Sequence, residues 1–284
     1  MRIYSKILVL FKFLIISSVG LAQNSDSTSI KKHRHLTDRF IGNVGIFIPS
    51  KSIKIKANGE SPNQEIDFGK TFKLSEQQST LAANFIWRFS KNKKWSVGLE
   101  YFAVQSTKST TLEEEITWED VTYPVGVTAE AGFGIDLYRL FFGRVISSGD
   151  KHEFSGGIGI HGLDMNAFIE GQGYIDDDNI NLDLERKSAK FLAPVPNIGL
   201  AYFYAPTTKW LFAARIDWFA ISLDEFDGSL WNIAPSIKYQ AFNNFGISAG
   251  YRYFSTKLDV NKDILNGSVK LEYHGPLLSI NFNF

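Results

Sequence analysis

Two histidine–carboxylate combinations are where this sequence could do chemistry. His161 stands three residues before Asp164 in I-H-G-L-D-M-N, and His274 stands two after Glu272 in L-E-Y-H-G-P. An imidazole beside a carboxylate can move a proton or activate a hydroxyl. No nucleophile elbow is read in the chain to complete such a site. Cysteine is absent, which removes thiolate nucleophiles, thiolate metal sites, disulfides and a lipid-modified cysteine. His161, Asp164 and His274 therefore stand as a speculative polar site, with hydrogen-bonded structural roles as the simpler reading. No catalytic residue is assigned.

Two acidic runs could meet a hard cation through oxygen ligands. They are Ile175-Asp176-Asp177-Asp178-Asn179 and Asp224-Glu225-Phe226-Asp227-Gly228. Neither has the spacing of an EF-hand loop. They read as solvated loops, and neither a metal nor a cofactor is assigned. His33 and His35 fall in a polar leader and read as a solvated tail rather than a metal pair.

The elements that must position these residues are strands. The last stretch alternates: Leu278, Ile280, Phe282 and Phe284 fall on one face, and Ser279, Asn281 and Asn283 on the other. Period two marks a strand with two different surroundings. Similar alternation recurs in nine earlier segments, near 41–56, 81–90, 95–103, 127–145, 153–169, 198–204, 210–218, 231–239 and 245–253. Tight turns at 91–94, 148–151, 206–208 and 242–244 alternate with longer polar segments at 57–78, 106–126, 170–189, 223–230 and 259–267. Short turns on one rim and long loops on the other predict an all-β fold, a transmembrane antiparallel up-and-down β-barrel of about ten strands, with eight or twelve as alternatives. A secreted β-sandwich would also alternate, but here the apolar faces end in Trp, Tyr and Phe, as aromatic girdles do.

The leader agrees with that compartment. Arg2 and Lys6 precede a mostly apolar run, Ile7 to Val19, and Gly20-Leu21-Ala22 forms a small-x-small site. Residues 1–22 read as a secretory signal peptide, 23–38 as a flexible periplasmic leader, and 39–284 as the barrel. An even strand count puts both termini on the short-turn, periplasmic side. Phe284 is expected to pair with the first strand and to present the closing strand to the barrel-assembly machinery. A formal net charge of zero gives no basic nucleic-acid surface. The other expected partners are outer-membrane lipid and lipopolysaccharide, and the barrel is expected to be a monomer.

Polar positions opposite the apolar faces predict a charged lumen: Arg88, Glu100, Glu130, Arg215, Asp217, Lys238, Arg252, Lys270 and Glu272. The signs nearly balance, so an ion-pair network is expected to fill a narrow ring, because open pores need ~16–18 strands. Three places break the alternation. Asp136 and Arg139 have opposite parity, as do His161 and Asp164, and the faces swap at Gly275-Pro276. A β-bulge at each would reconcile them, turning Lys270, Glu272 and His274 inward.

The segments A-P-V-P-N-I-G-L (193–200), R-I-D-W-F-A-I (215–221), E-F-D-G-S-L-W-N (225–232), G-Y-R-Y-F (250–254) and Y-H-G-P-L-L (273–278) resemble those of small, porin-like outer-membrane β-barrel proteins of Gram-negative bacteria. The G-L-A-Q end of the leader is similar to that of secreted proteins of Bacteroidetes-type bacteria. The resemblance implies a barrel in the outer membrane and brings no catalytic residues. The function expected is structural, or passage of very small solutes. The alternatives are a rim-active enzyme on lipid or peptide and a binding module working through its loops.

Overall fold

A computed structural model describes residues 32–56, 66–74, 78–118, 121–175, 180–223, 226–262 and 265–284. The strands are β1 (Phe40–Phe47), β2 (Ser50–Lys56), β3 (Ile66–Asp67), β4 (Thr80–Trp87), β5 (Trp95–Thr111), β6 (Ile116–Trp118), β7 (Val121–Tyr123), β8 (Thr128–Ser148), β9 (His152–Ile175), β10 (Ile180–Tyr204), β11 (Trp210–Leu223), β12 (Phe226–Ile233), β13 (Ser236–Tyr239), β14 (Phe245–Lys262) and β15 (Leu265–Asn283). Two one-turn helices, α1 (Arg34–Thr37) and α2 (Phe68–Thr71), complete the described elements. Every ladder is antiparallel, and β1–β2 and β12–β13 each form one broken stave, so the ring has ten staves.

The ring closes where the last strand meets the first. β15 pairs with β1 from Ile41↔Asn283 to Phe47↔Leu277 and with β14 on its other side. The Phe284 amide donates to the Phe40 carbonyl at 2.8 Å. Closure satisfies the ladder without leaving an edge, as a strand in hydrocarbon requires.

Near the short turns, the outer surface is apolar and the interior polar. Val44, Leu99, Leu140, Ile160, Leu200, Ile216, Ile237, Leu278 and Ile280 are all exposed. Tyr204, Trp210, Phe245 and Phe284 edge this belt below, and Tyr101, Tyr138, Trp218 and Trp231 edge it above. Trp210 and Trp218 lie on one strand. Their separation is about 27 Å along the strand and about 21 Å normal to a bilayer for a ~40° tilt, close to the ~25 Å band of outer-membrane barrels. Among the described residues, no helix is long and apolar enough to cross a membrane.

Above the belt the arrangement inverts. Phe102, Val104, Phe133, Ile135, Leu137, Leu163, Met165, Phe254, Leu271 and Tyr273 are buried inside. Outside stand Glu130, Asp164, Lys190, Lys257 and Lys270. The ring also divides there. β10 leaves β11 after Ile198↔Trp218, and β4 begins only at Thr80, below the top of β5. One sheet contains β5, β8, β9 and β10, and the other contains β11, β12, β14, β15 and β2. They close on an apolar core as the sheets of a sandwich do. β3, α2 and the chain to Leu74 lie between β2 and β5, with Thr71 bonded to Glu114 at 3.2 Å, and bury Phe68, Phe72 and Leu74 against Trp118 of β6. Pro194 and Pro196 sit where β10 has lost its β11 neighbour, so their missing N–H groups forfeit no bond on that side.

This inversion corrects the expected bulges. Asp136↔Asp164 and Arg139↔His161 pair in unbroken register, and β15 passes Gly275-Pro276 without a shift. Register shifts fall instead at Val145/Ser147 and Leu182/Glu185. The polar residues change face because the surroundings change at one height, not because the strand slips. Pro276 lies where the partner stave breaks, between Phe47↔Leu277 and Ser50↔His274. The segments 106–126, 170–189 and 223–230 are also corrected, since much of each is strand in the upper sheets.

The leader divides. Residues 1–31, including the expected signal peptide 1–22, lie outside the described residues. Residues 32–38 do not form a flexible tail: they fold into the mouth at the short-turn end, with His33 and His35 buried.

Candidate functional site

The lower interior is built from the inward positions of ten strands, and β5 and β14 share one order along the strand. From the short turns upward β5 presents Ser96, Gly98, Glu100 and Phe102, and β14 presents Ser248, Gly250, Arg252 and Phe254. Small residues come first, then charge, then large apolar groups.

The charged tier spans the bore. Arg215 on β11 grips Glu100 on β5 with both terminal nitrogens, at 2.8 and 3.2 Å. Arg252 on β14 reaches the same carboxylate at 3.0 Å. Asp217 accepts from Arg139 of β8 at 2.6 Å and from Asn232 of β12 at 2.9 Å, and lies 3.5 Å from Arg215 Nε. Arg252, Glu100, Arg215, Asp217 and Arg139 thus form one alternating chain across the ring. Forked guanidinium–carboxylate contacts give it fixed geometry. Arg139 also stacks on Phe141 at 4.3 Å, and Arg252 on Phe102 at 5.0 Å.

Below this tier is a chamber of about 160 Å³, walled by Ser96, Ser155, Ser236, Ser248 and Ser279 with small residues between them. Lys238 enters it and donates to Asn43 at 3.2 Å, and Asn43 donates to Asn84 at 3.1 Å. Its floor is α1. Arg88 donates to the Leu36 carbonyl at 2.9 Å and pairs with Glu153 at 2.8 Å. His35 packs on Phe203 with ring centroids 4.6 Å apart, and Lys32 meets Asp150 at 3.1 Å. His33 Nδ1 accepts from the His35 amide at 3.1 Å. Burial, reinforced by the Lys238 charge, lowers His33 to about 4 and holds His35 well below 6.5.

Of the residues expected in the lumen, Arg88, Glu100, Arg215, Asp217, Lys238 and Arg252 are there. Glu130, Lys270 and Glu272 are not. They lie above the belt on the outer face, because Ala129, Ala131, Leu271 and Tyr273 take the inward positions. His161 and Asp164 are on opposite faces of β9. His161 is fully buried, 3.0 Å from Asn197 Oδ1 and 3.9 Å from Asp217, while Asp164 is exposed beside Asp136. His274 also points outward and bonds the Tyr251 hydroxyl at 2.6 Å.

Gly246-Ile247-Ser248-Ala249-Gly250 spells Gly-x-Ser-x-Gly, which the sequence reading passed over. It runs mid-strand in β14, with Ser248 Oγ bonded to Ser279 at 2.7 Å. An elbow requires a strand-to-helix turn that exposes the hydroxyl, and none is present here. Among the described residues no three His, Asp or Glu side chains converge as a metal site. Of the acidic runs, 176–179 and 224–225 lie outside the described residues. Sequence reasoning missed Glu153 and Asn197, and took Arg139 only as a break in the alternation. Recurrent Ser, Gly and Ala at inward positions below a charge was the available signal.

No family model and no curated protein matches the sequence. Among solved structures, the chain is similar to outer membrane protease OmpT from Escherichia coli, with 8% identity and a TM-score of 0.52 over 91% of this chain and 100% of that one. The fold is that of an outer-membrane β-barrel. Looser matches include outer membrane protein OprG from Pseudomonas aeruginosa, with 12% identity and a TM-score of 0.33 over 90% of this chain and 99% of that one. Another is the P. putida toluene transporter TodX, with 9% identity and a TM-score of 0.36 over 90% of this chain and 93% of that one. At such identities the likeness is one of fold alone.

Proposed function

We propose that this chain is an integral protein of the bacterial outer membrane, with its short turns and α1 toward the periplasm, and that it works as a closed, non-enzymatic structural barrel. The observation that carries this reading is the stopper above the ion chain. Phe254 stacks on Tyr273 at 4.7 Å, and Phe102 and Phe47 meet Tyr273 edge-on at 5.1 and 5.8 Å. With Leu137 and Leu163 buried alongside, this layer is packed and mostly apolar. An ion crossing it would have to shed its water in an apolar layer. The belt's height and the closed ladder support the membrane assignment.

The test is planar-bilayer recording of the refolded full chain at neutral pH. Flat traces at ±100 mV are expected, alongside a heat-modifiable band showing that the barrel has formed. Steady open-channel conductance would overturn the closed-barrel reading. The chamber below the stopper favours a second reading, passage of very small solutes after rearrangement, which would appear as rare, brief openings.

A further inference from the structure

The chamber beneath the ion chain has more positive charge than its own carboxylates balance. Arg139, Arg215, Arg252 and Lys238 supply four cations, while Glu100 and Asp217 supply two anions. Arg88 and Glu153 cancel each other at the floor. Two positive charges are therefore left over within a barrel interior, where an uncompensated charge is strongly disfavoured.

The excess can be located. Among the described residues no carboxylate pairs with Lys238, whose ammonium meets the amide oxygen of Asn43. The Nε–H groups of Arg139 and Arg252 are buried within the ion chain and find no acceptor there. An ammonium and serine hydroxyls thus face one space of about 160 Å³, many times the ~10–15 Å³ that a single water needs by this measure.

We infer that this chamber binds a small oxyanion of the phosphate or carboxylate class, admitted from the short-turn end past residues 32–38. Its oxygens take the Lys238 ammonium, as charge-assisted bonds to an oxyanion do, under the positive charge of the ion chain above. The serine hydroxyls complete the shell. The stopper seals the opposite side, so the site is a dead-end pocket. The inference stands whether or not the barrel ever conducts.

Inorganic phosphate is the probe. The refolded full chain in detergent micelles is titrated calorimetrically at pH 7.5, with chloride adjusted to hold ionic strength constant. One saturable site per chain is expected. Lys238→Met removes one of the two excess charges and should weaken binding at least about tenfold, since a charge a few Å from the ligand acts in a partly desolvated space. Lys238→Arg should restore most of it. Heat-modifiable mobility checks that each variant is folded. If Lys238→Met does not fold, Ser236→Leu fills the chamber without altering its charge and should abolish the same site. No saturable phosphate uptake by the native chain would overturn the inference. So would a folded Lys238→Met, or Ser236→Leu, that binds as tightly as the native chain.

Discussion

Asp136 and Arg139, three residues apart on β8, face opposite surroundings. Arg139 turns inward and donates to Asp217 at 2.6 Å, while Asp136 turns outward and accepts from the Tyr101 hydroxyl at 2.6 Å. Between them the strand passes from a lipid-clad, polar-cored barrel to a water-clad, apolar-cored double sheet. His161 and Asp164 repeat the relationship on β9 at the same height. We place the membrane surface at this level.

Removing one member of the ion chain should damage the fold more than removing a charge outside it. Asp217→Ala leaves Arg139 buried without its carboxylate and should cost ~3–5 kcal/mol. Asp164→Ala, three residues beyond His161 but exposed, should stay within ~0.5 kcal/mol. Urea unfolding in lipid vesicles, read by tryptophan fluorescence, compares them. Equal midpoints would mean that the chain of pairs does not hold the barrel.

The boundary itself can be read by depth. Ile280 is 60% exposed within the belt. Ile280→Arg should cost ~2–4 kcal/mol in a bilayer. Glu272→Arg, outward on the same strand above the belt, should change stability by no more than ~0.5 kcal/mol. A large loss from Glu272→Arg would place the bilayer higher, and with it the stopper.

Gly275 is tied to the break in the first stave. A Cβ there would meet the Ile48 carbonyl oxygen at 2.1 Å and Pro49 Cα at 3.1 Å, backbone atoms that cannot swing away. Gly275→Val should therefore impede seating of β15 against the β1–β2 stave. Slow or incomplete appearance of the heat-modifiable band during refolding is the expected result, and refolding at the native rate would contradict it.

The α1 plug should loosen in acid. His33 and His35 are neutral when docked because burial opposes their charged forms, with Lys238 adding to the effect at both and Arg88 at His35. Asp38 and the Lys209 carbonyl favour protonation of His33 but do not outweigh burial. Undocked, each takes a proton near 6.5. Docking is therefore fully favourable above about 6.5 and weakens as pH falls toward about 4. A fluorophore on Thr37→Cys, unique because the chain has no cysteine, should become mobile across that window and recover on return to pH 7.5. His33→Gln with His35→Gln should flatten the response.

The sequence by itself determined the ring. Alternation along Leu278–Phe284 and its counterparts set the strands, the turn lengths set the order, and the closing pair with β1 followed, because period two and hairpin connection are local properties. It also placed Glu100, Arg215, Asp217 and Arg252 inside. Tertiary structure decided at what height inside and outside exchange. Parity names two faces but not their surroundings, so Glu130, Lys270 and Glu272 read like lumen residues, whereas the fold turns them outward above the apolar belt. The burial of His33 and His35 was likewise hidden. A short polar segment carries no periodicity, and only the empty mouth left by Ser96, Ser155 and Ala201 makes room for it.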